Sequence, residues 1–224
     1  MTANMAANTT HNPTLRIEVF SDVACPWCYL GDARLKEALA RAEVQAVVHW
    51  QPFQLQPALP PGGVPWKAFA ERKFGSWARA LEVFAQVGER GREAGLRFRF
   101  TDIARANNTV DAHRLILYAE AYGKGEAAAR ALYQAYFAEG KDLNDTFVLV
   151  RLMATLSLEP DAVKTFLRGD EKRPQVAASQ ERAAALGITG VPFYIFNERL
   201  GVSGAQPVET FVSAVDQALN GAVL

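Results

Sequence analysis

The chain of 224 residues holds two cysteines, and they stand three positions apart in Cys25-Pro26-Trp27-Cys28. Paired thiols make and break a covalent bond reversibly, so the chemistry this spacing suggests is thiol-disulfide exchange. At i and i+3 on the first turn of a helix, both sulfurs face one side and can bridge with little backbone movement. Cys25 would then sit at or near the N-cap. There the unpaired backbone N–H groups and the positive end of the macrodipole favour a thiolate, which is the nucleophilic form. Pro26 suits the first helical position, since its missing N–H would have had no intrahelical partner. Cys25 is expected to be the exposed nucleophile and Cys28 the shielded, resolving thiol.

Two other readings compete. Structural zinc needs about four thiolate or imidazole ligands at short paired spacings. The chain offers no second cysteine pair, and His11, His49 and His113 are scattered singly, so no metal is expected. The blander alternative is a pair of buried structural thiols.

Holding the pair requires a strand before it and a helix after it. Leu15 to Phe20 alternates as a strand with Ile17 and Val19 on one face, and Tyr29 to Arg41 is helix-like. Val44 to Phe53 reads as a second strand stopped by Pro52, which makes a right-handed parallel βαβ unit. His49 in that strand is most simply a surface or edge residue. Composition then breaks at Pro57-Ala58-Leu59-Pro60-Pro61-Gly62-Gly63.

Beyond it, apolar residues at three and four spacing predict helices over 66–74, 77–92, 110–122, 126–138, 146–156, 161–167 and 175–186. Thr109 and Asp145 are candidate caps, Gly123 follows the third helix and Pro160 opens the sixth. Leu96 to Phe100 is a loop or an isolated extended piece. Trp66, Phe69, Phe74, Trp77, Phe84, Tyr133, Tyr136 and Phe137 read as core rather than binding site. His113 follows Asn107-Asn108-Thr109 by one turn and can face the active cleft, although a helix-surface histidine is the simpler reading. Strand character returns over Val191 to Asn197, and Glu198-Arg199 turns it into Leu200 to Gly204 as a hairpin. A last amphipathic helix, Pro207 to Leu219, puts Val208, Phe211, Val212, Val215 and Leu219 on one face.

Half the residues are apolar, enough for a sizeable core. Lys plus Arg and Asp plus Glu both number 24, which leaves no electrostatic footprint for nucleic acid or an anionic membrane. Met1 to Pro13 has neither the basic nor the apolar region of a secretory leader and reads as a frayed tail. No run approaches the roughly 18 apolar residues of a membrane span. The expected compartment is reducing cytoplasm, where a disulfide is catalytic rather than structural.

The order βαβ, helical block, ββα gives an α/β fold class and resembles a thioredoxin fold with a large helical insertion. Residues 14–58 and 187–224 would form the thioredoxin-like domain, 59–186 the insertion and 1–13 the tail. More closely, the chain resembles the DsbA-like family, in the cytoplasmic FrnE-type branch related to 2-hydroxychromene-2-carboxylate isomerase and the kappa-class glutathione transferases. The stretches carrying this are Phe20-Ser21-Asp22 through Cys25-Pro26-Trp27-Cys28-Tyr29-Leu30-Gly31, Asn108-Thr109 with Ala112-His113-Arg114, Ala135-Tyr136-Phe137 with Glu139 to Asp142, and Gly187-Ile188-Thr189-Gly190-Val191-Pro192-Phe193-Tyr194.

The resemblance implies a cis Val191–Pro192 bond beside the cysteines, leaving the Val191 backbone free to pair with an extended substrate that also meets Pro26 and Trp27. On chain order alone, Pro192 is equally an ordinary trans residue opening a strand. Glu18 aligns with a buried acid of the relatives and would relay the proton of Cys28; an edge glutamate in solvent explains it as well. The isomerase and transferase relatives use serine where this chain has Cys25, and Ser-Asp where it has Ala205-Gln206. Both departures point away from glutathione transfer.

The expected function is dithiol-disulfide exchange on protein, peptide or small-thiol disulfides through a redox-active Cys25–Cys28 disulfide. No bound cofactor is expected, and an external thiol, from the glutathione or thioredoxin system, would recycle the pair. The alternatives are a glutathione-dependent isomerase or transferase of small aromatic compounds, and a non-catalytic redox-sensing or holdase-like binding module.

Overall fold

In the computed structural model, which describes residues 15–221, the organising strand is β1 (Leu15–Ser21). It alternates as its sequence requires: Leu15, Ile17 and Val19 are buried on one face, while Arg16 and Glu18 point to the other. β1 pairs in parallel with β2 (Ala46–Pro52) and antiparallel with β5 (Phe193–Phe196). β5 in turn pairs antiparallel with β6 (Leu200–Ser203), which gives a sheet of order β2-β1-β5-β6. The proposed tail, 1–13, lies outside the described residues.

α1 (Pro26–Arg41) crosses from β1 to β2, and α9 (Val208–Asn220) lies beside it on the face of Ile17 and Val19. Phe211 and Val215 of α9 are fully buried there, and the Phe211 ring meets Tyr194 edge-on at 4.8 Å. The opposite face is covered by α8 (Arg173–Ala185), whose Ala183 joins Phe20, Phe53 and Ile188 in a second apolar cluster. Ser179 of α8 donates to Gln51 at 3.5 Å and Arg182 grips Glu18. α8 therefore packs on this face of the sheet as well as on the helical block.

The hairpin turn also differs from expectation by one residue. Positive φ falls on Asn197 (46°) and Glu198 (58°), not on Glu198-Arg199. Asparagine tolerates that region. Here its side chain is also used, taking the Arg16 N–H at 3.0 Å and donating to the Ala218 carbonyl at 3.0 Å.

Between β2 and α8 the chain folds into α2 (Trp66–Phe74), α3 (Trp77–Glu93), α4 (Val110–Glu120), α5 (Gly125–Tyr133), α6 (Thr146–Thr155) and α7 (Pro160–Arg168). A two-residue ribbon, β3 (Val64–Pro65) against β4 (Arg105–Ala106), closes one end of this block. The helix expected over 126–138 splits: α5 ends at Tyr133 and a π-helical turn over Gln134–Ala138 follows, burying Tyr136 and Phe137. Asp145 caps α6 by accepting the Phe147 N–H at 2.8 Å. Thr109 occupies the N-cap of α4 without a side-chain cap bond; Asn108 Oδ1 takes the Val110 N–H at 3.1 Å. One apolar core runs unbroken from the α1 face of the sheet into this block, and Tyr29 of α1 stacks on Tyr133 at 5.3 Å. Among the described residues no helix is long and apolar enough to cross a membrane.

Candidate active site

α1 begins where the thiol chemistry requires it to. Cys25 is the N-cap, in extended conformation, and Pro26 occupies the first helical turn. The preceding turn is closed by the Cys25 N–H to the Asp22 carbonyl at 3.0 Å, and the helix starts with the Cys28 N–H to the Cys25 carbonyl at 3.0 Å. Both thiols are free.

Neither is exposed on the outer surface. Cys25 is 3% and Cys28 1% accessible, which corrects the expectation of an exposed nucleophile. Cys25 opens instead into a cavity of about 310 Å³, and Cys28 lies behind it. The Cys25 thiol points at the Val191 carbonyl oxygen, 3.6 Å away. The Val191–Pro192 peptide bond is cis, Pro192 is buried, and Val191 joins Pro26 and Trp27 in lining the cavity. Trp27 stands at the mouth, 39% exposed.

Burial pushes the Cys28 thiol well above its ordinary range, and the hydrogen bond and charge of Cys25 add to this. Ser21 and the Asp22 backbone oppose the shift by hydrogen bonding to the sulfur. The Ser21 hydroxyl also bonds to the Tyr133 hydroxyl, which burial and then the nearby Cys28 charge raise well above the usual phenol range. Cys28 therefore rests as a neutral thiol held by a short polar chain.

Tyr194 packs its hydroxyl over Gly31 of α1, where a Cβ would collide with it and would lie 3.1 Å from Pro192 Cγ. That hydroxyl is buried without a hydrogen-bond partner among the described residues. Gly31 is thus the position that lets the cis-proline strand lie against the cysteine helix.

Asp22 is 1% exposed and is held by two backbone donors, Ala24 at 3.1 Å and Leu55 at 2.7 Å. His113 of α4 faces it, with Nε2 3.4 Å from Asp22 Oδ1 but without hydrogen-bond geometry. A helix-surface His113 is thereby corrected: the Ala112 to Ile116 stretch of α4 is buried throughout. His49 sits at a sheet margin as expected, half-buried, with Nδ1 2.8 Å from Glu120.

Glu18 is not placed to serve Cys28. Alternation along β1 puts it on the α8 face, where Arg182 engages both carboxylate oxygens at 3.0 and 2.6 Å and Gln51 donates at 3.2 Å. Ser21 and Cys28 lie on the other face, so the proton-relay assignment fails for lack of reach.

The cavity is walled by Trp66, Phe69, Phe74, Phe84, Phe100 and Phe137, all from the helical block. Several aromatics expected to be core alone therefore line this cavity as well. Among the described residues, Asp22 and Lys73 are the charged ones that line it. Ala205 and Gln206 are engaged locally: the Ala205 carbonyl takes Arg34 at 2.7 Å and Gln206 donates to the Ser203 carbonyl at 2.7 Å. Among the described residues no group of three or more His, Cys, Asp or Glu side chains is placed to hold a metal ion.

Asp22, Ser21 and Tyr133 border the thiol pair although nothing in their types alone assigns them there, and His113, one of whose two readings faced the cleft, lies in the wall against Asp22. Ser21-Asp22 directly before the cysteine turn is the available signal, since an acid three residues ahead of Cys25 beside apolar Val23 and Ala24 is costly to bury unless it is tied down.

The chain matches the family model of the DSBA-like thioredoxin domain over residues 16–216. A solved probable DsbA oxidoreductase from Streptomyces coelicolor superposes with a TM-score of 0.85 at 35% identity, covering 94% of this chain and 92% of that one. The uncharacterized protein YwbO of Bacillus subtilis is 27% identical over 210 residues, 90% of this chain and 96% of its own. The cytosolic disulfide reductase DsbM of Pseudomonas aeruginosa, solved with GSH, shares the fold with a TM-score of 0.60 at 21% identity, covering 92% and 99% of the two chains. With its sheet, its cysteine helix and a match across nearly its whole length, the chain belongs to the DsbA-like thioredoxin-fold family.

Proposed function

We propose that this protein is a thiol-disulfide oxidoreductase acting through Cys25 and Cys28 on disulfide- or thiol-containing protein, peptide or small-molecule substrates. The observation that carries the reading is the division of labour in the pair. Cys25 caps the helix and opens into a cavity, while Cys28 lies behind it, buried and kept protonated.

In the reducing direction the Cys25 thiolate attacks one sulfur of a substrate disulfide. The substrate S–S bond breaks, its second sulfur leaves as a thiolate and takes a proton, and a mixed disulfide forms on Cys25. Cys28 then gives up its proton and attacks Cys25 Sγ, releasing the second substrate thiol and leaving the pair oxidised. Two electrons pass from the pair to the substrate, and an external thiol, from the glutathione or thioredoxin system, returns them. Val191, Pro192, Pro26 and Trp27 line the path of the incoming sulfur, and the cytoplasm is the compartment in which such a reductant is at hand.

Insulin reduction with dithiothreitol as the electron source tests the activity. Cys28→Ser is expected to accumulate a mixed disulfide with substrate and Cys25→Ser to accumulate none. Failure of the wild type to accelerate reduction, together with no capture by Cys28→Ser, would refute the reading.

A further inference from the structure

The cavity at Cys25 also restricts which disulfides reach it. We infer that this protein acts on disulfides carrying an uncharged aromatic or bulky apolar group beside the reacting sulfur, and that it discriminates against glutathione disulfide. The inference rests on the exchange reading above and names the substrate class of that site.

Access comes first. With Cys25 at 3% exposure, a disulfide fixed on the surface of a folded protein cannot approach the sulfur without entering the cavity. At about 310 Å³ the space lies at the lower end of ligand sites, roughly 300–1,000 Å³. It holds one ring-sized group and the reacting sulfurs, as a small disulfide or an extended peptide would present them.

Chemistry of the walls comes next. Trp66, Phe69, Phe84 and Phe100 are buried side chains of the floor, and Trp66 and Phe84 stack at 5.4 Å and Phe84 and Phe100 at 4.6 Å, a rigid apolar surface. Uncharged rings gain from offset or edge-on contact with such a surface. Glutathione brings two carboxylates and an ammonium. Against them the cavity offers, among the described residues, a single cation, Lys73, exposed at the rim and lying over the Phe69 and Phe74 rings at 5.8 and 5.7 Å. The other charge, Asp22, repels carboxylates and is already committed to the Ala24 and Leu55 N–H groups. Burying unpaired charge in such a place is strongly unfavourable.

The test uses three disulfides with the same cysteine leaving group: those of N-acetylcysteinamide, N-acetylcysteinyl-phenylalaninamide and glutathione. Each rate with the reduced protein is divided by its rate with dithiothreitol. The phenylalanine disulfide is expected to exceed both others by at least tenfold, and Val83→Trp, which fills the cavity, should cut that preference to below threefold. Equal normalised rates, or a preference for glutathione disulfide, would overturn the inference. If both Val83→Trp and Val83→Phe lose cooperative unfolding, the wild-type ratios alone decide. If no disulfide is turned over, the exchange reading itself fails. The cavity is then judged by alkylation of Cys25 in Cys28→Ser: a tenfold preference for N-benzylmaleimide over N-methylmaleimide, relative to free cysteine, sustains an apolar-group site, and a ratio near one ends it.

Discussion

Asp22 and His113 meet in the wall behind the thiol pair, with imidazole Nε2 3.4 Å from carboxylate Oδ1 and both side chains at or below 3% exposure. The carboxylate joins three pieces of chain. It holds the cysteine turn through Ala24, the segment after β2 through Leu55, and faces the helical block at α4. Asp22→Asn keeps the shape but can accept only one of the two N–H bonds, because its amide nitrogen would confront the other donor. A loss of about 1–3 kcal/mol is expected from one buried donor left unpaired. Urea unfolding of the reduced protein measures it, and a loss under about 0.5 kcal/mol would mean that the two backbone donors find other acceptors.

Gly31 and Tyr194 form a second coupled pair. Gly31→Ala places a methyl against the buried Tyr194 hydroxyl and Pro192, so overpacking of about 1–3 kcal/mol is expected, with slower exchange as Pro192 shifts beside Cys25. Tyr194→Phe alone should be neutral or stabilising, since it removes a buried hydroxyl that has no partner among the described residues. In the double variant the alanine penalty should shrink by about 1 kcal/mol or more, the coupling typical of residues in contact. Strict additivity in the cycle would show that the clash is relieved elsewhere.

What the sequence made legible follows from how local each signal is. The start of α1 could be read because Cys25-Pro26 combines an N-cap with a residue that fits only the first turn, and helix and strand agree there. Alternation of Ile17 and Val19 alone puts Glu18 on the far face, away from the cysteine helix. The place of α8 could not be read in this way. Its helical pattern carries no mark of whether it covers the sheet or the insertion, and that depends on Arg182 reaching Glu18 across 164 residues. The ribbon of β3 and β4 is two residues long on each side, too short for any alternation to show. A single histidine beside small and apolar neighbours, as His113 is, looks alike on a surface or in a wall. Only the fold brings Asp22 opposite it.

Stability of the reduced protein should fall in alkali in a way that the oxidised protein does not share. Folding raises the Cys28 thiol above its ordinary value of 9.0, so the native state holds this proton when the unfolded chain has released it. The contribution is therefore fully present below about pH 9 and is lost as pH rises towards the folded value, with a limiting slope of about 1.4 kcal/mol per pH unit. Raised Tyr133 and Tyr194 act in the same direction above their ordinary 10.0 in both redox forms. Urea midpoints at pH 7.5 and 9.5 separate the two contributions, because Cys28→Ala should remove the thiol part alone. Parallel pH profiles for reduced wild type and Cys28→Ala would contradict the assignment.

Ser21 bonds to the Tyr133 hydroxyl and pulls the buried Cys28 thiol down against the rise that burial imposes. Hydrogen bonding to the sulfur favours its charged form. Ser21→Ala removes that support and leaves the Tyr133 hydroxyl without this partner. The Cys28 thiol should then be harder still to deprotonate, while Cys25, on the cavity side, keeps its helix N-terminus and its contact with Val191. Capture of a substrate disulfide should proceed at the wild-type rate, and resolution of the mixed disulfide should slow by about tenfold, the effect of one pKa unit on the thiolate fraction. Raising the pH should recover much of the loss, which a packing defect would not allow. Single-turnover quenching with acid, followed by intact mass, reads the mixed disulfide directly. An unchanged lifetime for that species would show that Ser21 only fills space behind the thiol, and that the proton of Cys28 leaves by another route.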